Sequence, residues 1–68
     1  MGGFSNAITE AQVLAAAREE RQLARHLRVH GIPERHDLGA QLAVREMFHA
    51  VSAAAFDRIL REVRKSKS

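Results

Sequence analysis

The sequence contains no cysteine, no tryptophan and no tyrosine, and it has a single proline among 68 residues. Without cysteine the chain can form neither a disulfide nor a thiolate metal site. Its hydrophobic content of 46% relies on twelve alanines, which favour helix but bury little apolar area. A chain of this length buries only about 60% of the surface that its unfolded form exposes. We therefore expect one domain whose thin core is completed by self-association as a homodimer.

The usual signatures of an enzyme or a membrane protein are also missing. There is no glycine-rich phosphate loop and no obvious pair of carboxylates, and so small a domain rarely encloses the roughly 300 Å³ of a small-molecule site. No apolar run approaches the about 18 residues that a membrane span needs, and the opening MGGFSNA lacks the basic and apolar segments of a signal peptide. We expect a cytoplasmic, non-enzymatic protein with no membrane partner, no small-molecule substrate and no cofactor.

Positive charge is in moderate excess. Eleven lysines and arginines against eight acidic residues give a formal net charge of +3. This balance is compatible with a nucleic-acid partner or with an acidic protein surface, and it does not distinguish the two.

The first helix has a signal at each end. Thr9 and Gln12 have the spacing of a capping box. Gly31 suits the left-handed position after the last turn, and Pro33 prevents the helix from continuing. These residues predict a helix over residues 10–30.

The rest of the chain predicts either two more helices or one. Asp37 is a suitable N-cap, and no proline follows it. The apolar stripe, however, turns by roughly a quarter of a circle after Ser52, which can itself cap a new helix. We predict an all-α fold of three helices with a break at residues 50–52; the alternative is a two-helix hairpin that forms a four-helix-bundle dimer. The predicted domain covers residues 9–65, between a flexible lead at 1–8 and a basic tail at 66–68.

Glu20 falls in the middle of the apolar side of the first helix. An acidic residue there must either be paired or point away from a dry core. Arg45 and His49 are candidate partners, and such a pair could set the register of a dimer; the alternative is that Glu20 lies at the rim and points outward. We also expect the apolar segment near residue 48 to exceed what one protomer can bury. The candidate dimer or partner interface consists of Glu20, Met47, Phe48 and Val51.

Two histidines of the first helix have a spacing that metal sites use. His26 and His30 are four residues apart, and Glu19 could be a third ligand. Histidine near a helix C-terminus also interacts favourably with the helix dipole. Because the flanking residues of a specific metal motif are missing, we predict no metal site.

Four arginines of the first helix share one narrow arc, because they are spaced three, four and three residues apart. Guanidinium groups match phosphate geometry, so this arc could follow a nucleic-acid backbone. It could also bind an acidic protein surface, or simply be a solvated face balanced by nearby acids. The four residues are Arg18, Arg21, Arg25 and Arg28.

The stretch AVSAAAFDRILREVRK, residues 50–65, carries a resemblance to a known class. Val51 at a turn and a capping Ser52 are followed by apolar Phe56 and Ile59. Over about twenty residues, 45–64, this pattern resembles the second half of helix-turn-helix DNA-binding proteins. The resemblance implies that the last two helices form a helix-turn-helix-like pair. It also implies that the final helix lies in the major groove, with its N-terminal residues at the base edges.

The sequence departs from that motif at two positions. Glu46 stands where a small residue is usual, and Ala50 replaces the turn glycine. Alanines at the start of the last helix cannot read a base through hydrogen bonds. We therefore predict a regulatory nucleic-acid-binding protein of low sequence specificity that uses its basic C-terminal helix. The alternative is a helical adaptor or inhibitor that docks on a larger protein through an apolar, arginine-rich face. The candidate binding residues on this helix are Arg58, Arg61, Arg64 and Lys65.

Overall fold

The computed structural model describes residues 9–67, which form three α-helices and no strand. They are α1 (Glu10–His30), α2 (Leu38–Met47) and α3 (Ala53–Lys67). The all-α prediction with three helices is confirmed, and the two-helix alternative is wrong. The predicted lead at residues 1–8 lies outside the described residues. Two residues assigned to the tail, Ser66 and Lys67, belong to the last turn of α3.

Helix α1 begins and ends at the residues that the sequence indicates. The Thr9 side chain accepts a hydrogen bond from the Gln12 backbone N–H at 3.1 Å, and the Thr9 N–H donates to Oε1 of Gln12 at 3.0 Å. At the other end, Gly31 has φ 98° and donates its N–H to the Leu27 carbonyl. Because residues with a Cβ rarely adopt such a φ, glycine allows the chain to leave the helix here.

The loop between α1 and α2 is held by side chains of α2. The Asp37 carboxylate accepts from the Ala40 N–H at 3.0 Å and so caps α2. The Gln41 Nε2 donates to the Glu34 carbonyl at 2.8 Å and to the Arg35 carbonyl at 2.9 Å. Both loop carbonyls are therefore fixed relative to α2.

A short turn separates α2 from α3. The Val51 N–H donates to the Phe48 carbonyl at 3.0 Å, and Ser52 caps α3 by accepting from the Ala55 N–H at 3.1 Å. This turn gives Phe48 and Val51 directions that a continuous helix would not allow. Both side chains consequently point into the core.

The core lies mainly between α1 and α3. Leu23 and Leu27 of α1 are completely buried, while α2 contributes no buried residue, although Val44 packs partly against the cluster. α2 is thus the peripheral helix of the three. The other core residues are Phe48, Val51, Phe56, Ile59, Leu60 and Val63.

The buried turn corrects part of the predicted interface. Phe48 and Val51 are only 8% and 9% exposed, so they belong to the protomer's own core and are not available to a partner. Met47, the last residue of α2, remains 58% exposed. No helix among residues 9–67 is long and apolar enough to cross a bilayer.

Candidate nucleic-acid interface

The four arginines of α1 lie on the side of the helix that faces away from the core. On a wheel of 100° per residue they fall between about 140° and 220° from the buried Leu23. All four are exposed, and within residues 9–67 none of them forms an ion pair with a carboxylate. We call this surface the α1 arginine stripe; it consists of Arg18, Arg21, Arg25 and Arg28.

The two acidic residues in the middle of α1 bond to other parts of the fold, and within residues 9–67 neither forms an ion pair with the stripe. Glu19 Oε1 accepts a hydrogen bond from the Ala50 backbone N–H at 2.9 Å. Glu20 Oε1 lies 2.8 Å from Nη2 of Arg58 on α3. Both carboxylates therefore contact other parts of the fold.

The partner of Glu20 differs from the one that the sequence suggested. Arg45, an expected partner, lies over the Phe56 ring with its guanidinium carbon 5.6 Å from the ring centroid. His49, the other candidate, is exposed. Glu20 is paired with Arg58 within the protomer, and it lies at the rim of the core with 32% of its side chain exposed.

The predicted basic residues of α3 do not all face the same surroundings. Arg58 bridges two carboxylates, since its Nη1 also lies 3.6 Å from Oε1 of Glu62. Arg61 and Lys65 are exposed, whereas Arg64 is half-buried. Arg58 is thus part of an intramolecular ion-pair network, and a binding partner would have to compete with Glu20 and Glu62 for its guanidinium group.

Arg61 and Arg64 instead lie beside an arginine that the sequence did not single out. Together with Arg35 of the α1–α2 loop they line a cavity of about 270 Å³ between that loop, α2 and α3. Asp57, Leu60 and Gln41 complete its lining. The signal in the sequence nearest to Arg35 is the helix cap at Asp37. This cap predicts the start of α2 and does not indicate that Arg35 lines a cavity with residues of α3.

The basic residues of α1 and α3 do not form one continuous face. α3 packs against the side of α1 that carries Leu23 and Leu27, and the α1 arginine stripe lies on the opposite side. A flat partner that contacts the stripe therefore leaves the cleft between α2 and α3 uncovered.

A second kind of surface is apolar. An open groove of about 680 Å³ runs along the N-terminal half of α1 to the α2–α3 turn, where its lining includes Val13, Ala16, Ala17 and Ala50. α3 covers only the C-terminal half of α1, so Val13 and the neighbouring Leu14 are 52% and 62% exposed. The other large exposed apolar residues are Val29, Leu38, Leu42 and Met47.

The histidine pair of α1 is not joined by a third metal ligand. The rings of His26 and His30 are 4.6 Å apart between centroids, and His26 meets the Phe48 ring edge-on at 5.8 Å. Glu19, the possible third ligand, accepts from the Ala50 N–H. In the described part of the chain no three metal-ligating side chains come together.

Comparisons of the chain with protein-family models, with curated proteins and with solved structures found no match. The resemblance of residues 45–64 to helix-turn-helix proteins therefore stays a prediction.

Proposed function

We propose that the protein is a non-enzymatic, cytoplasmic regulator that binds the phosphate backbone of nucleic acid through the α1 arginine stripe. The observation that carries the proposal is the exposure of four arginines on one side of a helix, with no carboxylate paired to them within residues 9–67. At a rise of 1.5 Å per residue the stripe is about 15 Å long. Because DNA carries one charge per about 1.7 Å of helix axis, several phosphates lie within its reach.

This proposal gives α1 the main role that the sequence assigned to α3. The reason is the ion-pair network of Arg58, which bonds to Glu20 and Glu62 before any partner arrives. In this proposal Arg61 and Lys65 are secondary contacts, because both are exposed.

Low sequence specificity follows from the chemistry of the stripe. Contacts to phosphate fix the position of a protein on nucleic acid but carry no sequence information. The α1 arginine stripe contains no asparagine or glutamine that could pair with adenine. We therefore expect similar affinity for unrelated sequences of equal length.

The test is a salt titration. Fluorescence anisotropy measures binding of a random-sequence DNA duplex between 50 and 200 mM salt. If four arginines each neutralise one phosphate, the slope of log K against log salt is about −3.6 for B-DNA, and about −2.8 for a single strand. The double variant Arg21→Gln/Arg25→Gln should halve this slope and lower the affinity.

The matched control removes two positive charges from α3 through Arg61→Gln/Lys65→Gln. It should change the slope less than the α1 variant does. If the α3 variant abolishes binding while the α1 variant binds normally, the assignment to α1 is wrong. Affinity that is independent of salt in the wild type would reject the backbone-binding function itself.

A second candidate function is docking on another protein. The exposed Leu38 and Leu42 on α2 favour it, because adjacent apolar side chains on a surface commonly mark an interaction site. Absence of nucleic-acid binding at 50 mM salt would favour this candidate. Leu38→Glu/Leu42→Glu should then abolish capture of a protein that the wild type retains from a lysate.

A further inference from the structure

We propose that the cleft between the α1–α2 loop, α2 and α3 is a binding site for a phosphate group, held by Arg35, Arg61 and Arg64. The three arginines come from two separate parts of the chain and line one cavity of about 270 Å³. Arg35 and Arg64 also line an adjoining cavity of about 420 Å³, on the side of Ile32 and Pro33. Arginine residues therefore border the cleft from both the loop and α3.

The loop that carries Arg35 is held in place before any ligand arrives. Gln41 Nε2 donates to the carbonyls of Glu34 and Arg35, at 2.8 and 2.9 Å. The Asp37 N–H donates to the same Glu34 carbonyl at 3.0 Å. Because these bonds fix the backbone of residues 34–37, binding an anion does not have to order the loop first.

Two of the three guanidinium groups are available to a ligand. Arg61 lies one turn after Asp57 on α3, yet no ion pair within 4.0 Å joins them, and Arg35 has none within residues 9–67 either. Arg64, which also lines the cavity, is half-buried. The carboxylates bordering the two cavities are Asp57 and Glu34, and Glu34 Oε2 lies 3.6 Å from Nε2 of His36. Arg35 and Arg61 alone already outnumber Asp57 in the lining of the 270 Å³ cavity, which gives it a positive excess.

A phosphate group fits this set of donors better than a carboxylate does. Guanidinium groups form paired, charge-assisted hydrogen bonds with phosphate oxygens, and a tetrahedral phosphate can present different oxygens to arginines on different sides. The site is separate from the α1 arginine stripe, so it goes beyond the proposed function. The group could come from a free phosphate or nucleotide, or from the end of a nucleic-acid strand.

The experiment is a titration of the full chain with inorganic phosphate at constant ionic strength, followed by two-dimensional NMR of the backbone amides. We expect saturable shifts at residues 34–36 and around Arg61, and none along the stripe. Arg61→Gln should weaken phosphate binding by about tenfold or more, because it removes a charge-assisted contact. Asp57→Asn should strengthen binding several-fold, since it removes the negative charge of Asp57, which lines the cavity.

Lys65→Gln is the matched control, because Lys65 is an exposed cation of the same helix that does not line the cleft. If Lys65→Gln and Arg61→Gln weaken binding equally, or if Asp57→Asn has no effect, the phosphate is attracted by net charge and the site is rejected. Thermal melts of each variant confirm that the fold is retained.

The two sources are distinguished by parallel titrations with adenosine monophosphate and with a 5′-phosphorylated and an unphosphorylated oligonucleotide. Binding of a ligand from either source supports the site if Arg61→Gln lowers the affinity for that ligand. The double variant Arg21→Gln/Arg25→Gln should leave inorganic phosphate binding unchanged. Loss of nucleic-acid binding in that variant, with phosphate binding intact, would show that the stripe and the cleft act separately.

Discussion

The Glu19 carboxylate accepts a hydrogen bond from the Ala50 backbone N–H at 2.9 Å, across 31 residues of sequence. It joins the middle of α1 to the turn between α2 and α3. The next residue, Glu20, bonds to Arg58 on α3. Because consecutive residues of a helix point about 100° apart, two neighbouring acids reach two different elements. Together they fix how α3 and its preceding turn lie against α1.

Replacing Glu19 tests the first of these links. Glu19→Ala should lower the free energy of unfolding by about 1–3 kcal/mol, because it leaves a partly buried N–H without an acceptor. Glu19→Gln keeps an amide oxygen at nearly the same place and should cost less. Urea unfolding followed by circular dichroism at 222 nm measures both. Equal losses of unfolding free energy for the two variants would mean that the hydrogen bond to Ala50 does not contribute to stability.

Ser52 is expected to determine where α3 begins. Its side chain accepts from the Ala55 N–H, and loss of such a cap costs about 0.5–2 kcal/mol. Ser52→Ala should destabilise by that amount, whereas Ser52→Asp should restore most of it. Ser66→Ala, in the exposed last turn of α3, is the control and should be near neutral. An unchanged melting temperature for Ser52→Ala would contradict the capping role.

The thin core makes the protein sensitive to a single cavity. A domain of 68 residues is expected to have a total stability of roughly 3–10 kcal/mol. Leu23→Ala, at a completely buried position, should cost about 2–5 kcal/mol, which is a large part of that total, and should lower the melting temperature markedly. Leu38→Ala is the control, because that side chain is 72% exposed and its loss should change stability by less than about 0.5 kcal/mol. Similar melting curves for the two variants would contradict the proposed core.

Self-association stays a prediction, and the groove along the N-terminal half of α1 is where we expect it. Sedimentation equilibrium should detect a dimer at concentrations of about 100 μM, because the exposed Val13 and the small Ala17 allow a second helix to approach closely. Val13→Glu/Ala17→Glu should shift the protein to the monomer. Gln22→Glu, an exposed position of the same helix, should not. A wild-type protein that is monomeric at this concentration would contradict the prediction.

The start of each helix and the end of α1 could be predicted from the sequence because their signals are local, whereas α2 already ends at Met47 and α3 continues to Lys67. The Thr9 capping box, Gly31, the Asp37 cap and the Ser52 cap each act within a few residues. A helical wheel also placed the α1 arginine stripe correctly on one side of its helix. These features depend on backbone geometry that is the same in every helix.

Contacts between elements could not be predicted in the same way. A wheel gives the side on which Glu20 lies, but the residue opposite it depends on how α3 packs against α1. That packing selects Arg58 as the partner, in place of Arg45. The packing of α3 also explains why Arg35 and Arg61 line the same cavity. Phe48 and Val51 were expected at an interface, and they became core residues because the turn after α2 redirects both side chains inward.

The peripheral position of α2 determines which part of the protein should unfold locally first. With no fully buried side chain of its own, α2 can detach while α1 and α3 stay packed, so its amide protons should exchange with solvent faster than those of the other two helices. Arg35 and Gln41, at one wall of the phosphate cleft, would detach with it. A ligand that bridges the loop and α3 would slow this exchange, because it binds only while α2 is packed and so stabilises the helix that unfolds most readily.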